Sequence, residues 1–215
     1  MRNKRWNNTK RVLLFFLIAL LSSHICVSGA SQDDLKSRID ENLKNGRSTE
    51  LDELGPVAIP YVLELLQSST EFTGREFSLL WFVWRTGGDE ADKALIQLLH
   101  HPSEYVRGLA AMHVGSRKRK EAVPELIALL QDSTVFGKTL CTLLGEPVEG
   151  DQVASRLTKA QRPGGDLLVK DEAVSALEET TGLQISKSNS FDKRARAWLR
   201  WWQKQKELMS GWTRR

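Results

Sequence analysis

The 215-residue sequence predicts an all-α solenoid of about five antiparallel helix pairs closed by a tryptophan-rich helix. Three observations carry this expectation. Glycines recur at a near-constant interval, a nine-residue apolar pattern repeats without gaps, and a basic amphipathic segment ends the chain. The composition suits a folded core: 40% of residues are apolar and 27% charged, with two cysteines and a net charge of +4. Such values exclude disordered, collagen-like and disulfide-rich classes.

The positive charge is unevenly placed. Residues 1–30 hold five basic residues and no acidic ones, residues 31–186 carry a net −8, and residues 187–215 carry +7. The first segment reads as an address. Its basic stretch is followed by the ten-residue apolar run Val12–Leu21 and then by small residues, with Ser28 and Ala30 at the −3 and −1 positions before Ser31. This is the order of a secretory signal peptide. Spanning a bilayer takes about 20 apolar residues, so an uncleaved anchor is the weaker reading. Cys26 raises a lipoprotein alternative, but Ser23, His24 and Ile25 before it do not give the usual Leu-small-small pattern. The expected outcome is export to the periplasm or cell surface with cleavage between Ala30 and Ser31. Only Cys141 then remains, which leaves no partner for an intramolecular disulfide.

Within 31–186 the elements follow in order. Gly55, Gly87, Gly115, Gly145 and Gly182 are spaced by 32, 28, 30 and 37 residues. Each follows a helix-like stretch: 48–54, 75–86, 104–114, 134–144 and 171–181. A glycine just past a helix adopts the left-handed cap conformation at no steric cost. A second series interleaves with the first. Residues 58–66, 91–99 and 122–130 align without gaps at offsets of 33 and 31. Ile59, Val62, Leu63 and Leu66 fall on one helical face, as do Leu95, Ile96 and Leu99, then Val123, Leu126, Ile127 and Leu130. Asp92 stands where Ile59 stands in the first copy, near a helix start that favours an acid. Pro60 and Pro124 fall in first turns, where a missing N–H costs little. One such pair cannot bury its apolar face alone, so neighbours must stack.

The segment from His101 through Val106-Arg107, Ala110-Ala111 and Gly115 to Leu129-Leu130 and Asp132 resembles the HEAT repeat. It is most similar to the short variety of bacterial proteins and phycobilisome lyases. The likeness covers about residues 32–181 and is weakest over 146–165. A second resemblance joins Ala173–Gly182 and Trp198–Trp202 to the C-terminal segment of exported bacterial HEAT-like proteins. These resemblances imply a right-handed solenoid and a protein or peptide partner rather than a reaction. They also imply a concave face lined by second-helix residues off the apolar stripe, here Tyr61, Glu64, Gln97 and Glu125.

Candidate chemistry is thin. Cys141 shares a register column with Leu51, Val83, Ala111 and Glu178 and reads as core. HEAT-like hydroxylases hold di-iron through His-Glu dipeptides, and none occurs here. His101 and His113 lack helical ligand spacing and read as surface histidines, so neither metal nor cofactor is expected. Residues 117–120, Arg-Lys-Arg-Lys, read as a solvated loop rather than a nucleic-acid patch. Trp81 and Trp84 read as inter-repeat core, although they imitate the stacking residues of HEAT-like glycosylases. In the last segment Phe191, Ala195, Trp198, Leu199, Trp202 and Met209 form a stripe with Trp201 at its edge, and Lys193, Arg196, Arg200 and Lys204 lie opposite. That helix suits the cap a solenoid needs, and its alternative is contact with a membrane surface. The sequence thus divides into a signal peptide (1–30), the repeat array (31–186) and the basic cap with its tail (187–215). The expected job is a non-catalytic scaffold, against the rivals of a membrane-surface adaptor and a phycobilin-lyase-like chromophore handler. The opposed charges of array and cap also allow self-association.

Overall fold

The computed structural model describes residues 32–44, 48–136 and 167–212, and every regular element among them is a helix. The chain divides into two units, residues 1–45 and 46–215. In the first, α1 (Gln32–Lys44) opens on Asp33 and Asp34, whose charges suit the positive end of a helix.

The second unit is built of helix pairs. Ser48–Ala58 winds in tight 3-10 turns that break at Gly55, and α2 (Ile59–Ser68) follows. Next come α3 (Gly74–Thr86) with α4 (Gly88–Leu98), then α5 (Glu104–Ser116) with α6 (Val123–Leu129). A further pair is α7 (Val169–Thr181) with α8 (Phe191–Trp212). First helices pack on first helices, α3 on α5 and α5 on α7, while α2 packs beside α4. Pro60 and Pro124 sit in the first turns of α2 and α6, as their missing N–H groups require. The expected helix and loop over 137–166, with Cys141 and Gly145, lie outside the described residues.

The apolar stripes meet between the pairs. Leu79, Leu80, Phe82 and Val83 of α3 are buried, with Leu95 and Leu98 of α4 and Val106, Leu109 and Ala110 of α5. Of the repeated stripe, Ile59, Val62, Leu66, Leu95, Leu99, Val123, Leu126, Ile127 and Leu130 are buried, and Leu63 and Ile96 are half-buried. A capping box fixes the start of α3. The Thr73 hydroxyl accepts from the Arg75 N–H, and the Thr73 N–H donates to Glu76 Oε2 at 2.9 Å. Burial pushes the Glu76 carboxyl up, but hydrogen bonds from Thr73, the backbone and Ser69 outweigh it and hold it below the ordinary range.

The glycine series has two different physical causes. Gly55, Gly87 and Gly182 have positive φ of 63°, 66° and 69°, which glycine adopts at no steric cost. Gly55 and Gly87 combine the positive φ with an extended ψ of −164° and −171°, whereas Gly182 takes the expected left-handed cap conformation. Gly115 was expected to do the same and does not: it lies inside α5, and Lys118 takes the positive φ of 54° instead. A Cβ at Gly115 would lie 2.7 Å from the Ala176 Cα and 2.9 Å from its Cβ. The residue is a glycine because α7 crosses α5 there at backbone distance.

The helix expected to begin at Thr134 does not begin there either. Thr134–Phe136 is extended, and Val135 bridges Leu168 antiparallel. The Phe136 N–H donates to the Leu167 carbonyl at 2.9 Å, and the Val169 N–H donates to the Thr134 carbonyl at 3.0 Å. The cause is Asp132, whose carboxylate accepts from the Thr134 N–H at 3.0 Å and from Arg107 Nε at 2.7 Å. A side chain that binds the backbone two residues on favours a turn over a helix. Arg107 also donates to the carbonyls of His101 at 2.7 Å and Pro102 at 2.6 Å. Burial raises the Asp132 carboxyl, but the hydrogen bonds from Arg107 and Thr134 prevail and hold it below the ordinary range.

Two outcomes follow from these contacts. Gly115→Ala should lower the thermal midpoint, by about 1–3 kcal/mol of overpacking, although alanine is the better helix former. Gly74→Ala, with nothing within 4 Å of the new Cβ, should leave it within about 0.5 kcal/mol. Asp132→Asn should cost about 1.5–3 kcal/mol at neutral pH, the range for a charged hydrogen bond. Because folding holds this carboxyl low, its contribution is full above about pH 4 and fades as the pH falls from there. Urea unfolding across that range should therefore show wild type and variant converging in acid.

Candidate interaction surface

The second helix of each pair carries the expected binding column. Tyr61 and Glu64 lie on α2, Gln97 on α4 and Glu125 on α6. Glu64 and Gln97 are exposed, Tyr61 and Glu125 half-buried, and Ala94, in the same register, is buried. Glu125 already has a neighbour: its carboxylate lies 2.8 Å from His100 Nε2, which joins α6 to the turn after α4. The column is therefore acidic and polar, and one of its carboxylates is engaged between repeats.

His101 and His113 are not surface residues, and the expectation is corrected for both. His101 is buried in the turn between α4 and α5. Its Nδ1 accepts from the Ser103 N–H at 3.0 Å, so Nε2 carries the proton and donates to the Leu66 carbonyl at 2.8 Å. This bond satisfies a carbonyl at the end of α2, one repeat back. His113 is buried on α5 and stacks on Trp84 of α3, with ring centroids 5.0 Å apart. Trp84 also donates to the Ser116 hydroxyl at 3.3 Å. Trp84 thus spans neighbouring pairs as expected, but it and Trp81 are half-buried rather than core. Among the described residues no group of three or more His, Cys, Asp or Glu side chains is placed to hold a metal.

The basic run is not simply a solvated loop. Arg117 and Arg119 both turn onto Asp92, which is buried at the start of α4. Arg119 also reaches Asp89 at 3.2 Å. A buried carboxylate needs such partners, because removing an unpaired charge from water is costly. Gly87 makes room for the fork, since a Cβ there would lie 3.2 Å from the Arg117 guanidinium. Only Lys118 and Lys120 of the run are exposed. Asp92 in an apolar column was the sequence signal that a cation from the next repeat had to reach it.

At the C-terminal end α8 packs on α7 and α6. Trp198 is fully buried and Ala195 nearly so, while Trp201 and Trp202 are half-buried and Arg200 and Lys204 exposed. The array buries Ala195 and Trp198 of the apolar stripe and half-covers Phe191, Leu199 and Trp202, as a cap requires. Arg194 donates to Glu178 of α7 at 2.7 Å and lies over the Phe191 ring. Lys170 at the start of α7 pairs with Asp192 at 2.8 Å. Burial pushes the Glu178 carboxyl above the ordinary range, and Arg194 offsets this only in part. An open groove of about 450 Å³ lies beside the helix, between Trp201 and Trp202, the turn at Lys120–Pro124 and Thr181. No described helix is long and apolar enough to cross a membrane.

Trp198→Ala should destabilise the protein by about 3–5 kcal/mol, the cost of emptying a buried aromatic site. Trp201→Ala should cost clearly less, and thermal unfolding followed by circular dichroism separates the two.

Comparison with known proteins agrees with this architecture. No curated protein and no solved structure matches the chain. A family model described as HEAT repeats matches residues 93–178. That span runs from α4 into α7; with helix pairs stacked before it and α8 packed after it, the second unit is an all-α solenoid of HEAT-like pairs.

Proposed function

We propose that the protein is a non-catalytic scaffold that holds a protein or peptide partner on the exposed side of its second helices. The observation that carries this reading is the exposed polar column of Glu64 and Gln97, with Tyr61 and Glu125 half-buried beside it, on a match to HEAT repeats. Stacked helix pairs of this kind present extended surfaces suited to a polypeptide. Acidic and amide side chains there favour the N–H groups and cations of a peptide over the phosphates of a nucleic acid. The buried histidines are occupied as packing and hydrogen-bonding groups, so they support structure rather than a reaction.

Export belongs to the same proposal. Its support is the basic stretch, the apolar run Val12–Leu21 and the small residues Ser28 and Ala30 in sequence. Mass spectrometry of the protein recovered from its native envelope should give Ser31 as the first residue; an intact Met1 would reject the cleavage. For the surface itself, Glu64→Lys with Gln97→Lys should reduce a captured partner about tenfold while leaving the thermal midpoint unchanged, as rim charges do. Capture at the wild-type level by this double variant would remove the column from the reading.

A further inference from the structure

Helix α8 covers the array with one side and turns the other to solvent. At about 100° per residue, the buried Ala195 and Trp198 fall on one side together with Trp202. Lys193, Arg196, Arg200 and Lys204 fall on the opposite side, are all exposed, and recur at i, i+3, i+7 and i+11 as a straight ridge. At a rise of about 1.5 Å per residue the ridge is about 16 Å long. None of the four has an ion-pair partner among the described residues, whereas Arg194 and Asp192 on the same helix are held by Glu178 and Lys170. The ridge ends at Glu207, which accepts from the Gln203 amide at 3.2 Å. Cap and membrane contact were alternatives for this helix in the sequence. The residues each would use stand on opposite sides of it, so one role does not exclude the other.

We propose that this ridge rests on the surface of an anionic lipid bilayer, with α8 lying along the headgroups. Charge complementarity sets both the partner and the orientation. Residues 187–215 carry +7 and residues 31–186 carry −8, so an anionic plane attracts the basic helix and repels the acidic array. Lysines and arginines clustered on one helix face are a means of meeting acidic headgroups. A folded protein partner fits less well. Protein interfaces centre on apolar anchors seated in pockets and are poor in lysine, whereas the ridge has neither an apolar anchor among its cations nor a recess. Mobile headgroups can gather around long side chains that no neighbour positions; a rigid partner would have to match them. No aromatic ring falls within the ridge, so it offers nothing on which nucleic-acid bases could stack. Contact is electrostatic rather than inserted, because Ala195 and Trp198 are already covered by the array. Leu208, 53% exposed and one turn past Lys204, is the strongly exposed large apolar side chain of the described helix. The ridge shares no residue with the Tyr61–Glu125 column, so either surface can fail without the other.

The test is co-sedimentation of the purified protein with vesicles of equal parts phosphatidylglycerol and phosphatidylcholine. At low salt the protein should pellet with these vesicles and stay in solution with phosphatidylcholine alone, and added salt should release it. Each cation at such a surface contributes about fivefold, so Arg196→Gln with Arg200→Gln should weaken binding by about 25-fold. Lys93→Gln with Lys118→Gln removes the same charge from exposed sites elsewhere and should weaken it by less than about threefold. Circular dichroism should show all three proteins equally folded, since the ridge side chains hold nothing inside the array. Equal pelleting with phosphatidylcholine alone, equal loss in the two double variants, or no pelleting with the anionic vesicles would each overturn the proposal. If the vesicles fail while a labelled glutamate-rich peptide or a DNA duplex binds wild type and not the ridge variant, the ridge belongs to that partner instead.

Discussion

The guanidinium of Arg107 is the junction on which the order of the repeats depends. It holds the carbonyls of His101 and Pro102 on one side and the Asp132 carboxylate on the other. Those groups end one helix pair and close the next, so a single planar fork sets where α5 begins relative to where α6 stops. The polar connection continues both ways. His101 reaches back to the Leu66 carbonyl at the end of α2, and the Asp132 carbonyl accepts from the Lys170 N–H at the start of α7. Lys170 in turn pairs with Asp192 at the start of α8. From α2 to α8 the turns are thus tied by a nearly unbroken polar line, while the helices between them bury the apolar stripes.

This line also joins the described residues on either side of positions 137–166. Phe136 and Leu167 are hydrogen-bonded neighbours, so the segment ending at Phe136 and the segment starting at Leu167 lie side by side. Because Asp132 organises the turn and Leu168 pairs with Val135, α7 starts where it can lie directly on α5. The backbone approach at Gly115 and Ala176 is the packing consequence. It is short enough that any side chain at Gly115 would force the two helices apart.

Much of the fold was legible because its signals are local. The apolar stripe of α2, α4 and α6, the prolines in first turns and the glycines at positions 55, 87 and 182 each declare themselves within a few residues. What was not legible joins positions 25 or more residues apart, and that separation acquires meaning only once the pairs are stacked. Asp92 looked like a helix-start acid, yet it is the buried partner of Arg117 and Arg119. His101 and His113 looked exposed because the groups that bury them are distant in sequence: Leu66 and Trp84 belong to earlier pairs. Gly115 fitted the spacing of a cap but serves a helix crossing that no single-helix pattern encodes. Of the candidate surfaces, the alternation along α2, α4 and α6 located the polar column, whereas the groove at Trp201 and Trp202 needed the turn at Lys120–Pro124 brought beside it.

The length of α8 sets how much of its apolar stripe the array can cover. At about 1.5 Å per residue, its 22 residues span about 33 Å, against about 20 Å for the 13 residues of α7 on which it packs. A partner that short can bury only the first part of the stripe, and Ala195 and Trp198 are the residues it buries. Beyond them the helix must be kept in water by charge, and Arg200 and Lys204 supply it where Trp201 and Trp202 remain half covered. The terminal face of the solenoid is therefore closed by one half of a helix whose other half is left amphipathic and positively charged. The length of a helix beyond the partner it covers thus decides where its burial ends, and in α8 that limit falls just past Trp198.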